Sequence, residues 1–126
     1  VNKQILYNAI RCPDGFVLES FHVHDFKTHT CAGREYMIDG GCFYVRRSAN
    51  GDEEVLTEYL EEDNHEHNRK FFHWGTRGVK GDQPLSYVRL KDMDTDHIRN
   101  ILNSQYQIIG TYVEDLLWNE IDYREL

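Results

Sequence analysis

Proline and cysteine are both scarce in this chain. There are two prolines and three cysteines, Cys12, Cys31 and Cys42, and an odd number of thiols does not suit a disulfide framework. In a reducing compartment such residues are thiols or metal ligands. No apolar run approaches the roughly 20 residues that a membrane span needs. Val1 to Ile10 carries polar Asn2, Lys3, Gln4 and Asn8, which is unlike the apolar stretch of a secretory signal. The expected address is the cytoplasm of the producing cell. Basic charge is also in short supply: 14 basic residues stand against 22 acidic ones, for a formal net charge of −8. Such a chain repels phosphate backbones unless its basic residues gather on one face. A basic protein surface is the easier partner. Internal repeats, low-complexity segments and domain linkers are not evident.

What is present suffices for a core. With 126 residues, 40% of them hydrophobic, a single domain over 1–126 is expected, because two domains would leave about 60 residues each and marginal cores. Its parts are a β-rich segment 1–50, an acidic connector 51–70 and a strand-turn-helix part 71–126. Gln4 to Ile10 alternates as a buried strand. Cys12-Pro13-Asp14-Gly15 has turn chemistry, since proline presets φ and glycine accepts positive φ. Phe16 to Phe21 returns as a second strand. Two β-prone runs, Tyr36-Met37-Ile38 and Cys42-Phe43-Tyr44-Val45, flank Asp39-Gly40-Gly41 and read as another hairpin.

The acidic middle surrounds Val55, Leu56, Tyr59 and Leu60 with carboxylates, and this spacing predicts a short amphipathic helix, with a strand as the alternative. Asp63 to Lys70 reads as a loop. Phe71-Phe72-His73-Trp74 and Leu85 to Leu90 read as strands around a glycine-punctuated turn. Asp94 or Thr95 can cap a helix whose apolar face is Ile98, Ile101 and Leu102. Thr111-Tyr112-Val113-Glu114 fits a capping box before Val113, Leu116, Leu117 and Ile121 at helical spacing. The fold class is therefore α+β: small antiparallel sheets in the N-terminal and central parts, with two C-terminal helices packed on them.

Several constellations can carry chemistry. Zinc takes about four thiolate, imidazole or carboxylate ligands in a tetrahedron. His29-Thr30-Cys31 offers a close pair, Cys12 a third ligand, and His22 or His24 a fourth. Buried thiols and surface imidazoles are the plainer explanation. His24-Asp25, or His97 beside Asp94 and Asp96, could orient an imidazole as a base, but no nucleophile motif or oxyanion-hole signature accompanies them. The chain is accordingly expected not to be an enzyme. Trp74 to Gly81 lacks the order of a phosphate-binding loop and suits instead a glycine-hinged contact finger carrying Trp74, Arg77 and Lys80. Arg34, Arg46 and Arg47, beside Phe43 and Tyr44, would be the basic and stacking residues of a nucleic-acid binder. The acidic residues from Asp52 to Glu66 are either a solvated face or a row imitating spaced phosphates. On the binding reading Glu53, Glu54, Glu58, Glu61 and Glu62 supply charge complementarity to a partner.

Two stretches resemble a known family. Glu19-Ser20-Phe21-His22-Val23-His24-Asp25-Phe26, then Cys31, Asp39-Gly40-Gly41, Tyr44 and Arg46-Arg47, is similar to a pattern in small bacteriophage proteins. Trp74-Gly75-Thr76-Arg77-Gly78, Pro84-Leu85, Tyr87-Val88, Leu90-Lys91-Asp92-Met93 and Asp96-His97-Ile98 resemble the second half of such proteins. The likeness covers most of the chain outside the acidic middle. In that family the first segment looks like a small zinc ribbon. Here Cys12 matches its first cysteine, Pro13-Asp14-Gly15 lacks the second, and His29-Thr30-Cys31 replaces a Cys-x-Cys pair. The resemblance implies a phage accessory protein in the infected bacterial cell that binds a host protein and inhibits or redirects it, host immune machinery such as a CRISPR nuclease included. For the metal it implies one of two outcomes: a structural zinc held by Cys12, His29 and Cys31 with a substitute fourth ligand, or a site that has decayed. A zinc-ribbon-like nucleic-acid binder is the alternative.

Overall fold

The structure is a computed structural model that describes residues 4–21, 25–41, 44–78 and 80–125. The chain divides into two compact units, Val1–Leu60 and Glu61–Leu126, and the division falls inside the acidic segment. Among the described residues there are nine strands and three α-helices. Every paired strand is antiparallel, so the fold is α+β, as the sequence pattern predicts.

The first unit is built on β1 (Ile5–Arg11), six of whose seven residues are buried. Burial of both alternations marks a central strand rather than an amphipathic edge. β2 (Val17–Ser20) pairs along one side through the turn at Cys12–Gly15. A second sheet holds β3 (Lys27–Cys31), β4 (Arg34–Gly40) and β5 (Val45–Arg47), in that order. Ala32 and Gly33, both at positive φ (53° and 80°), make the two-residue turn between β3 and β4, which suits the right-handed twist of a hairpin. Ile10, Cys12, Leu18, Tyr36 and Ile38 form one buried cluster drawn from both sheets.

Two polar clasps reinforce that core. The Asn8 side chain donates to Asp39 O at 3.0 Å. Asp39 in turn accepts from the backbone N–H groups of Asp25 and Gly40 at 2.9 and 2.8 Å and from the Tyr44 hydroxyl at 3.0 Å. Gly40 has φ +96°, and a Cβ there would fall 2.0 Å from Tyr44 O. Only glycine fits this hairpin end.

The acidic middle departs from the expected helix. It forms β6 (Glu54–Val55) and β7 (Glu58–Tyr59), and both pair antiparallel with β1. Leu56 N–H donates to Ala9 O, and Thr57 Oγ1 donates to Asn8 Oδ1, bridging the gap between them. The free edge of β1 decides this outcome. Its unpaired carbonyls and amides would otherwise be buried without partners, a larger cost than the weak helix propensity of a seven-residue segment.

In the second unit the segment expected to be a loop is helical: α1 (His65–Phe71). Asn64 caps it by accepting from His67 N–H at 3.2 Å. Glu66 lies in the first turn and Arg69 and Lys70 in the last, the favourable order for the helix dipole. β8 (His73–Thr76) and β9 (Ser86–Arg89) then form a hairpin in which Trp74 faces Val88. A 3-10 turn at Leu90–Asp92 leads to α2 (Thr95–Ser104), and a second at Tyr106–Ile108 leads to α3 (Tyr112–Arg124). The capping box before α3 is displaced: Glu114 accepts from Gly110 N–H at 3.2 Å, and the Thr111 hydroxyl donates to Ile108 O. Phe72, Leu90, Met93, Ile98, Ile101, Leu116, Leu117 and Ile121 are buried. Among the described residues no helix is long and apolar enough to cross a membrane.

Candidate metal centre and partner-contact residues

The turn that joins β1 to β2 is fixed by its own residues. Gly15 N–H donates to Cys12 O at 2.9 Å, and Cys12 N–H to Phe16 O at 2.8 Å. Asp14 Oδ1 accepts from Phe16 N–H at 3.0 Å. This Asx contact aims the other oxygen, Oδ2, toward β3, where His29 Nε2 lies 2.7 Å away. The Phe16 ring stacks on the His29 imidazole with centroids 4.0 Å apart and planes 6° from parallel. Cys12 Sγ completes the set: one ligand atom from each of Cys12, Asp14 and His29 lies within 4.8 Å of the others.

These three residues could hold a metal ion. Thiolate, imidazole and carboxylate together form a borderline-soft donor set, and the separations are close to those of a small coordination sphere. Burial pushes the Cys12 thiol up, with Asp14 and Cys31 adding to it. The His29 hydrogen bond holds the Asp14 carboxyl down, helped by Phe16 N–H.

The expected set and the observed group overlap in part. Cys12 and His29 come together as the sequence suggests. The third donor is Asp14, and Cys31 falls outside the 4.8 Å group, although it packs against the buried cluster that contains Cys12. Because His29 and Cys31 are two apart on β3, they share a face of the strand. Asp14 went unnoticed because it serves as a turn former. The signal lay in the turn itself, whose side chains belong to the same hairpin end as Cys12. His22, His24, Cys42 and Phe43 lie outside the described residues.

No family model, curated protein or solved structure matches this chain.

The other candidates are placed as follows. In the first unit Glu53 accepts from Asn50 and Gly51 N–H groups, and Glu54 pairs with Arg11 at 2.9 Å. Glu58 lies half-buried on β7. In the second unit Glu61 accepts from Asn64 at 2.9 Å and sits 3.3 Å from His67, while Glu62 is exposed. Part of the acidic segment therefore serves local structure. Trp74 is half-buried on β8, whereas Arg77 and Lys80 are exposed beyond it. Arg34 pairs with Asp52 at 3.4 Å. Arg46 and Arg47 lie opposite Asp39 and Ile38, roughly 15 Å up β4 from Arg34 at strand spacing. Asp25, the described member of the His24-Asp25 pair, accepts from Phe21 N–H at 2.9 Å.

Sequence reasoning missed a buried charge network altogether. Glu120 on α3 is 0% exposed. Arg69 donates to both of its oxygens at 2.8 Å, Arg124 donates at 2.7 Å, and His65 Nε2 lies 2.8 Å away. Burial pushes the Glu120 carboxyl up, but the hydrogen bonds from Arg69, Arg124 and His65 outweigh it and hold it down at about 2. Arg124 also donates to Thr95 Oγ1 and Leu90 O, so one carboxylate ties together α1, α3 and the start of α2. The network is architectural.

Proposed function

We propose that this chain is a binding protein of the phage accessory kind, which occupies a host protein and inhibits or redirects it. Host immune machinery such as a CRISPR nuclease is the partner class that the motif likeness suggests. It acts by occupancy and not by catalysis. A structural zinc, held by Cys12, Asp14 and His29 with Cys31 close by, braces the first unit. The observation that carries the metal part is the convergence of three donor atoms within 4.8 Å at the junction of the β1–β2 turn and β3. A net charge of −8, with Glu54, Glu61 and Glu62 exposed, supports a basic protein surface as the partner over a phosphate backbone.

Two measurements test this reading. Affinity capture from host lysate, with and without nuclease, is expected to enrich one nuclease-resistant protein near stoichiometry. Glu54→Gln/Glu61→Gln/Glu62→Gln, which removes the charges but keeps hydrogen-bonding side chains beside Arg11 and Asn64, weakens that capture while the circular dichroism spectrum is unchanged. Recovery of nucleic acid alone would overturn the reading in favour of a nucleic-acid binder. For the metal, one zinc per chain is expected by mass spectrometry under non-denaturing conditions, and none in Cys12→Ser/His29→Ala. Equal zinc in the two proteins would place the ion elsewhere.

A further inference from the structure

The second unit carries an open cleft of about 830 Å³. The β8–β9 hairpin builds one wall, because the register Trp74↔Val88 sets these side chains beside each other on one face. Met93 and Ile101, both buried, contribute apolar surface at its base. The lining also includes Asp92 from the 3-10 turn, Asp94 at the N-cap of α2 and Asp96 in its first turn.

The aspartates are arranged unusually. An N-cap aspartate ordinarily turns its carboxylate onto the N–H of the second or third helical residue. Asp94 is the N-cap of α2 and makes no such bond. Among the described residues the carboxylates of Asp94 and Asp96 take part in no hydrogen bond or ion pair, although the Asp94 carbonyl accepts from Ile98 N–H at 3.1 Å, and the Asp92 carboxylate reaches only Lys91, at 4.0 Å. A helix start favours anions through roughly half a positive charge. Three carboxylates outweigh that here, and the cleft attracts cations.

The form of the cation follows from the spacing. Among the described residues the only group of three or more ligand atoms within 4.8 Å is the one at Cys12. Asp92, Asp94 and Asp96 are thus not drawn together around a point charge. Spread carboxylates beside an indole and an apolar base suit a cation on a hydrocarbon stem. Such a stem would have Val88 and Met93 to lie along, its head the aspartates to meet, and the Trp74 ring as a cation–π surface.

We propose that this cleft receives an arginine or lysine side chain from a basic segment of a partner protein. The proposal rests on the binding-protein reading above and names the chemistry that the partner presents. The test is fluorescence anisotropy of the full chain with a labelled Gly-Ser-Arg-Ser-Arg-Gly peptide at about 0.15 M salt, where screening beyond about 8 Å suppresses long-range attraction. Saturable binding is expected. It should weaken about tenfold or more in Asp94→Asn/Asp96→Asn and in Trp74→Leu, and less in Trp74→Phe, which keeps an aromatic face. Asp115→Asn/Asp122→Asn, with the same change in net charge on exposed positions of α3, should stay within about twofold of the wild type. Circular dichroism of each variant checks that it is folded.

Equal weakening in both aspartate pairs would overturn the proposal, because net charge alone would then explain the binding. So would a citrulline peptide that binds as well as the arginine one, or no binding at millimolar peptide. A nuclease-resistant host protein whose capture survives Asp94→Asn/Asp96→Asn would leave the binding-protein reading intact and remove the cleft from it. Peptide binding that follows the expected pattern while lysate capture yields nothing would do the reverse.

Discussion

Replacing Glu120 with glutamine keeps the shape of the side chain and removes its charge. The side chains of Arg69 and Arg124 are 18% and 20% exposed, so two guanidiniums would be left largely desolvated without a counter-ion. The glutamine amide would also point an N–H₂ group toward donors. Breaking a buried ion pair in this way costs about 3–5 kcal/mol. The carboxyl itself gives a second route to the magnitude. It is held at about 2 against an ordinary 4.5, and about 2.5 pH units at 1.36 kcal/mol each is about 3 kcal/mol. The two routes agree.

The sign with pH is fixed by the direction of the shift. A depressed folded-state value means that the contribution is complete above about 4.5 and disappears as pH falls through about 2. Urea unfolding followed by circular dichroism at 222 nm reads the helical unit. At pH 7 Glu120→Gln is expected to lose about 3–5 kcal/mol, and the gap from the wild type should narrow between about pH 4.5 and pH 2. Arg69→Met/Glu120→Leu/Arg124→Met should recover most of the loss, since no charge is then stranded. The remaining deficit is about 1–2 kcal/mol, from the lost hydrogen bonds of His65 to Glu120 and of Arg124 to Thr95 and Leu90. A loss below about 1 kcal/mol at pH 7, or a gap that does not change with pH, would refute this account of the network.

Further outcomes follow from other residues. Gly40→Ala places a Cβ 2.0 Å from Tyr44 O at φ +96° and should destabilise the first unit by about 2 kcal/mol or more, read as a shift of the urea midpoint with unchanged slope. Leu117→Ala, at a fully buried position, should cost about 2–5 kcal/mol, and Trp118→Ala, one residue on and 50% exposed, much less. Saturating zinc should raise the melting temperature of the wild type and not that of Cys12→Ser/His29→Ala, and chelation should reverse the gain. Asp14→Asn should weaken zinc binding about tenfold or more while Cys31→Ser changes it less, because only Asp14 lies in the ligand group; the opposite order, by competition titration, would restore Cys31 as the third ligand.

Local chemistry made much of the fold legible. The turn at Cys12–Gly15 follows from proline and glycine at their preferred places, and the strand on each side from alternation and β-propensity. The last two helices follow from apolar residues at helical spacing, with Leu116, Leu117 and Ile121 buried as that spacing requires. Cys12 and His29 as partners were legible from donor type alone. Tertiary structure decided the rest. Val55 to Tyr59 has spacing that suits either a helix or a strand, and the unpaired edge of β1 selected the strand. His65–Phe71 has no apolar stripe, yet it is helical because Asn64 caps it, Asn68 bonds back to Glu61 and Arg69 reaches Glu120. Asp14 became a candidate ligand only when β3 brought His29 beside it. Composition and periodicity report what a segment prefers by itself; which of two near-equal preferences wins depends on groups distant in sequence, and only the folded chain supplies them.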